Sequence, residues 1–145
     1  MVNKNNIYIT ENDFERLAEL LTILEKDNSK DNGSVEQLKK ELQRATIISS
    51  GKISRDVVTM NSRVLLKDMI TFEEFCYQIV FPADADLEAG KISVLAPIGT
   101  ALFGYKIDDT IEWQVPAGTR KLKIIEMLYQ PEWFFPPVWG LPELE

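Results

Sequence analysis

GTALFGYK, Gly99 to Lys106, is the stretch of this chain that comes nearest to a chemical motif. Two glycines stand five apart and a lysine follows, close to the G-x-x-x-x-G-K-[ST] loop whose backbone N–H groups cradle phosphate. The match fails where the chemistry is demanding. Tyr105 separates the second glycine from Lys106, and Ile107 stands where the magnesium-binding hydroxyl belongs. Thr100, Ala101, Leu102 and Phe103 form an apolar, helical run suited to burial, whereas a phosphate cradle needs exposed amides. A short helix accounts for every residue. Pro97 presets its first turn. Ile98, Ala101 and Leu102 supply a buried face, with Ala101 small enough for close contact with a sheet. Gly104 ends it in the left-handed conformation, and Asp108-Asp109 turns the chain into the next strand.

Other chemistries are narrowed by composition. The 145 residues include no histidine, which excludes Ser-His-Asp and Cys-His catalysis and removes the commonest general base and zinc ligand. No metal or cofactor is expected, and the reading is of a protein that is not an enzyme. The single cysteine, Cys76, lies between Phe75 and Tyr77 and reads as a buried, inert thiol with no disulfide partner. A net charge of −7 gives no global attraction to nucleic acid or anionic lipid. Arg120, Lys121 and Lys123 form a small basic run that reads as the solvated face of a strand. No apolar run reaches about 18 residues, so no membrane span is expected. The N-terminus, MVNKNNIYIT, lacks the apolar core of a signal peptide, and with one thiol the chain fits the cytoplasm.

The elements that hold these residues fall into two segments. Residues 11–48 read as helix, turn, helix. Thr10 caps the first helix with Asp13 three places on, and Phe14, Leu17, Leu21 and Leu24 make one stripe. Ser34 opens the second, with Gln37 closing a capping box and Val35, Leu38, Leu42 and Ala45 repeating the spacing. The polar loop between them, Lys26 to Gly33, completes a short antiparallel coiled-coil hairpin about 20 to 25 Å long. After Gly51 the pattern shifts to period two. Residues 56–68 read as a strand kinked near Asn61; residues 72–82, the KISVLA segment, TIEWQVPAG and RKLKIIEMLYQ supply four more. The whole is α+β: a hairpin over residues 1–50, then an antiparallel β-domain with one short helix over residues 51–145. The tail, residues 131–145, interleaves Trp133, Phe134, Phe135 and Trp139 with four prolines. It reads as an extended strap over its own domain, or else as a surface for self-association.

ISVLAPIGTALFGYKIDDTIEWQVPAG, with DVVTMNSRV before it and KIIEMLYQ after it, resembles the C-terminal domain of the Gre transcript-cleavage factors. DVVTMNSRV and the A-P-x-G-x-A-L-x-G segment are similar to those of that family's short-hairpin members, the regulators of nucleoside diphosphate kinase. The resemblance covers about residues 8–130 and implies an FKBP-like β-domain bearing a helical hairpin. It also implies a partner, bacterial RNA polymerase, met at the rim of its secondary channel, with nucleic acid reached only through the polymerase. The family's docking contact maps onto Leu95, Ala96 and Pro97, with Ile98 adjacent. Leu95 and Ala96 replace an acidic and a hydroxyl residue there, so the contact is expected to be more apolar. The family's Gly-Asp turn is Asp108-Asp109 here and loses its glycine.

In the cleavage factors, acidic residues at the hairpin tip help hold a magnesium ion in the polymerase active site. This tip offers only Asp27 and Asp31, lacks the family's D-L-x-E-N-A-E-Y string, and sits on short helices. The expectation is a regulator that docks and competes with cleavage factors without stimulating cleavage. The alternatives are an FKBP-like peptidyl-prolyl isomerase, or an interaction module with a non-polymerase target.

Overall fold

The computed structural model describes residues 7–26, 32–115 and 118–134. A short strand, β1 (Tyr8–Thr10), leads into α1 (Glu11–Lys26), and α2 (Asn32–Arg44) returns to β2 (Thr46–Ile48). The Thr10 hydroxyl accepts the Asp13 amide at 3.0 Å and caps α1. Asp13, Leu17 and Leu21 are the buried residues of α1, and Val35, Leu38 and Leu42 face them from α2. β1 and β2 pair in parallel, Tyr8 opposite Thr46, so both ends of the hairpin are tied in one small ladder.

The second sheet has five strands: β3 (Arg63–Asp68), β4 (Glu74–Val80), β5 (Lys91–Ser93), β6 (Thr110–Val115) and β7 (Gly118–Tyr129), in the order β5-β4-β3-β7-β6. Along β3, Val64, Leu66 and Asp68 are buried while the residues between them are half-exposed, the period of a sheet with one covered face. The short helix α3 (Pro97–Leu102) connects β5 to β6, and one helical turn, α4 (Pro131–Phe134), follows β7. Leu17, Leu21, Leu38 and Leu42 of the hairpin join Val58, Met60, Phe103, Tyr105, Leu122 and Ile124 in a single apolar core. The hairpin is therefore seated on the sheet rather than tethered to it.

The α+β architecture agrees with the sequence, and several details differ. β5 runs parallel to β4, Gln78 opposite Lys91, because two 3₁₀ turns (Pro82–Asp84 and Leu87–Ala89) carry the chain back before it pairs. The first long strand starts at Arg63, not at residue 56: Asn61, at φ 70°, closes a tight turn in which Ser62 donates to the Thr59 carbonyl at 3.0 Å. α2 begins at Asn32, two residues before Ser34. In α3 the close approach is made by Gly99, not Ala101. A side chain on Gly99 would lie 2.2 Å from the Ser93 carbonyl oxygen, whereas Ala101 and Ile98 are half-buried. Cys76 is half-buried rather than enclosed. The start of the tail is a helical turn instead of an extended strap, and residues 135–145 lie outside the described residues.

Candidate functional site

The turn between β5 and α3 carries Leu95, Ala96, Pro97 and Ile98. It is built by local hydrogen bonds. The Ser93 hydroxyl accepts the Leu95 amide at 3.0 Å, and the Ser93 carbonyl accepts the Ala96 amide at 2.9 Å. The Ala96 carbonyl then accepts the Thr100 amide, opening α3 with Pro97 at its first position. From beneath, the buried Thr100 hydroxyl donates to the Val94 carbonyl at 2.6 Å. Gly99 permits this closeness, since any side chain there would strike the strand. Pro97 is exposed, Leu95, Ala96 and Ile98 are half-buried, and Leu95 and Ile98 pack against the core. The turn is held by these hydrogen bonds, and its four side chains are all apolar.

α3 packs against α2, so this turn and the hairpin base are neighbours. The joint between hairpin and sheet is polar at its centre. Asp13, 4% exposed, accepts the Met60 amide at 3.0 Å across it. Burial pushes the Asp13 carboxyl up to about 6, and the nearby Glu132 charge adds to the rise; the Met60 amide, Arg16 and Thr10 oppose it. Arg16 also lies over the Phe81 ring, 4.3 Å from its centroid. Behind the joint, Thr59 donates to Glu132 at 2.7 Å and lies 2.9 Å from the Ser62 hydroxyl. Gln130, fully buried, donates to the carbonyls of Ser54 and Val57, and the Trp133 indole donates to that of Ile53. The segment 130–133 thus nails residues 53–62 in place.

Sequence reasoning reached the turn but not this knot. The available signal was Asp13 itself, a carboxylate in register with Leu17 and Leu21 on the core face of α1. The hairpin-tip residues Asp27 and Asp31 lie outside the described residues. Of the basic run, Arg120 reaches the buried Asp68 carboxylate at 3.0 Å, and Lys121 pairs with Glu112 at 3.6 Å on the strand surface. A groove of about 490 Å³ lies between residues 55–56, Ile107, residues 125–127 and Trp133. Among the described residues, no group of three or more acidic, cysteine or histidine side chains is placed to hold a metal ion, and no helix is long and apolar enough to cross a membrane.

Residues 53–129 match the family model for the C-terminal domain of the transcription elongation factors GreA/GreB, and the chain belongs to that family. Residues 5–48 match a second model, the Rnk N-terminus. The chain is 40% identical over 96 residues to the regulator of nucleoside diphosphate kinase of Escherichia coli, covering 66% of this chain and 71% of that one. It is 39% identical over 98 residues to the transcription elongation factor GreA of Pelobacter propionicus, covering 68% of this chain and 62% of the relative. The chain thus spans less than two thirds of the length of that elongation factor. Among solved structures, the GreA/GreB elongation factor from Nitrosomonas europaea superposes with a TM-score of 0.71 at 38% identity, over 87% of this chain and 100% of that one.

Proposed function

We propose that this protein is a non-catalytic, cytoplasmic transcription regulator that binds bacterial RNA polymerase at the rim of its secondary channel. It docks through Leu95, Ala96, Pro97 and Ile98 and competes there with Gre-type cleavage factors. The reading is supported above all by the hydrogen-bonded, apolar strand-end turn, held within the segment that matches the elongation-factor domain. It draws further support from the adjacent hairpin. The 16 residues of α1 run only about 24 Å at ~1.5 Å per residue, short for delivering carboxylates deep into a channel. On this reading the protein blocks without cleaving.

Fluorescently labelled protein titrated with core polymerase, with a Gre factor as competitor, tests the docking. Saturable binding displaced by the competitor and weakened by Pro97→Asp is expected. Binding indifferent to both would remove the docking site from consideration. A cleavage assay on backtracked complexes tests the rest: no stimulation is expected, and robust transcript shortening would overturn the non-cleaving role.

A further inference from the structure

The hydrogen bonds behind the hairpin joint form one connected path. As a carboxylate, Glu132 can only accept, so the single Thr59 hydroxyl proton is committed to it at 2.7 Å. Thr59 Oγ1 can then only accept from Ser62, whose own oxygen accepts the Thr59 amide at 2.9 Å. These bonds fix the turn of residues 59–62. Its other restraints are the Ser62 amide on the Thr59 carbonyl and the Asn61 amide on the Ile79 carbonyl at 2.6 Å. The turn also directs the Met60 amide toward the hairpin, where it meets Asp13 at the first turn of α1. Thr59, Ser62 and Asp13 are all buried, so no water competes for these groups cheaply.

We propose that Glu132 is a positioning residue for the hairpin: the C-terminal helical turn sets the direction in which α1 leaves the sheet, acting through Thr59, Ser62 and the Met60 amide. Neither Glu132 nor Thr59 touches α1 by a hydrogen bond, and 119 positions of sequence separate Glu132 from Asp13. α4 is thereby a structural input to a hairpin encoded at the opposite end of the described chain. A contact made by the C-terminal turn would be felt at the hairpin. The hairpin's use in blocking a channel rests on the proposed function; its coupling to Glu132 does not.

The full chain, with Cys76→Ser and spin labels at Thr22→Cys on α1 and Ala89→Cys on the β-domain, gives the test. Thr22 and Ala89 are both exposed. Pulsed dipolar spectroscopy reads the distance between them, and amide exchange reads Met60. Glu132→Ala should replace a single narrow distance by a broad or shifted one and speed Met60 exchange about tenfold, the size of one lost buried hydrogen bond. Glu132→Gln keeps an oxygen for Thr59 and should restore both. Unchanged distance and exchange in Glu132→Ala, or a glutamine variant as loose as the alanine one, would overturn the proposal. Should Glu132→Ala fail to fold, Thr59→Val interrupts the same path at its middle and is read the same way. In a foldable pair the double variant should add nothing to either single change, and additive effects would count against a shared path. No polymerase enters these measurements, so a failed docking experiment leaves them standing.

Discussion

Asp13 and Met60 meet across the seam between hairpin and sheet, carboxylate oxygen to backbone amide at 3.0 Å, with the carboxylate almost wholly out of water. One hydrogen bond does not offset the burial of a charge, and so the Asp13 carboxyl rises from 3.8 to about 6. The folded state holds this proton more tightly than the unfolded chain does. Its contribution to stability is full below pH ~4 and is lost as pH rises through about 6. The loss amounts to about 3 kcal/mol at ~1.4 kcal/mol per unit. Asp13→Asn keeps an oxygen for Met60 without the charge. Urea unfolding should find the two proteins similar at pH 4 and the variant more stable at pH 8; curves that stay parallel across this range would contradict the assignment.

Gly99→Ala should destabilise the protein by about 2 to 4 kcal/mol, because its methyl would meet the Ser93 carbonyl, a backbone atom that cannot rotate away. Chemical denaturation measures the cost. A loss below about 0.5 kcal/mol would mean that β5 and α3 can part without penalty.

Two residues other than glycine sit in left-handed conformations at exposed turns, Phe72 at φ 68° and Asp108 at φ 76°. Replacing each by glycine relieves steric strain, and the greater freedom glycine gives the unfolded chain offsets part of the gain. Phe72→Gly should gain up to about 1 kcal/mol, and Asp108→Gly less, since a short polar side chain tolerates this region better than a bulky one. Thermal melts that rank the two in reverse would count against strain as the cause.

Gln130 donates both amide hydrogens to carbonyls, the part-buried one of Ser54 at 2.9 Å and the buried one of Val57 at 2.8 Å. Gln130→Ala should cost about 2 to 3 kcal/mol by orphaning them. Gln130→Glu should be worse at pH 7 and should recover in acid, because a carboxylate offers no donor and brings a buried charge. Equal stability of the glutamate variant at both pH values would show that the carbonyls find other donors.

Local grammar made the helices and the central strands legible. The spacing of Leu17, Leu21, Leu38 and Leu42, the Thr10 cap, Pro97 at the head of α3 and Gly104 at φ 86° behind it are all short-range facts. Asp108 in the left-handed region matches its place in the family's Gly-Asp turn. What was not legible is non-local. β1 and β2 are three residues each and exist only because the chain returns to pair them, Ile9 with Ile47. The parallel seat of β5 depends on two tight turns, and the choice of Gly99 over Ala101 as the close contact depends on helix rotation. The knot of Asp13, Thr59, Gln130 and Glu132 draws on three distant segments, each residue ordinary in its own neighbourhood. The turn at residues 95–98 is legible only through resemblance; no periodicity marks it.

The parallel ladder of Tyr8–Thr10 with Thr46–Ile48 closes the hairpin at its root. Reach and aim are therefore separable properties. Seven residues added to each helix at the far end would lengthen the arm by about 10 Å, and would leave the seat, the ladder and the buried carboxylate as they are. In a scaffold of this kind the length of the arm is written solely in the number of heptads, and its base is indifferent to that number.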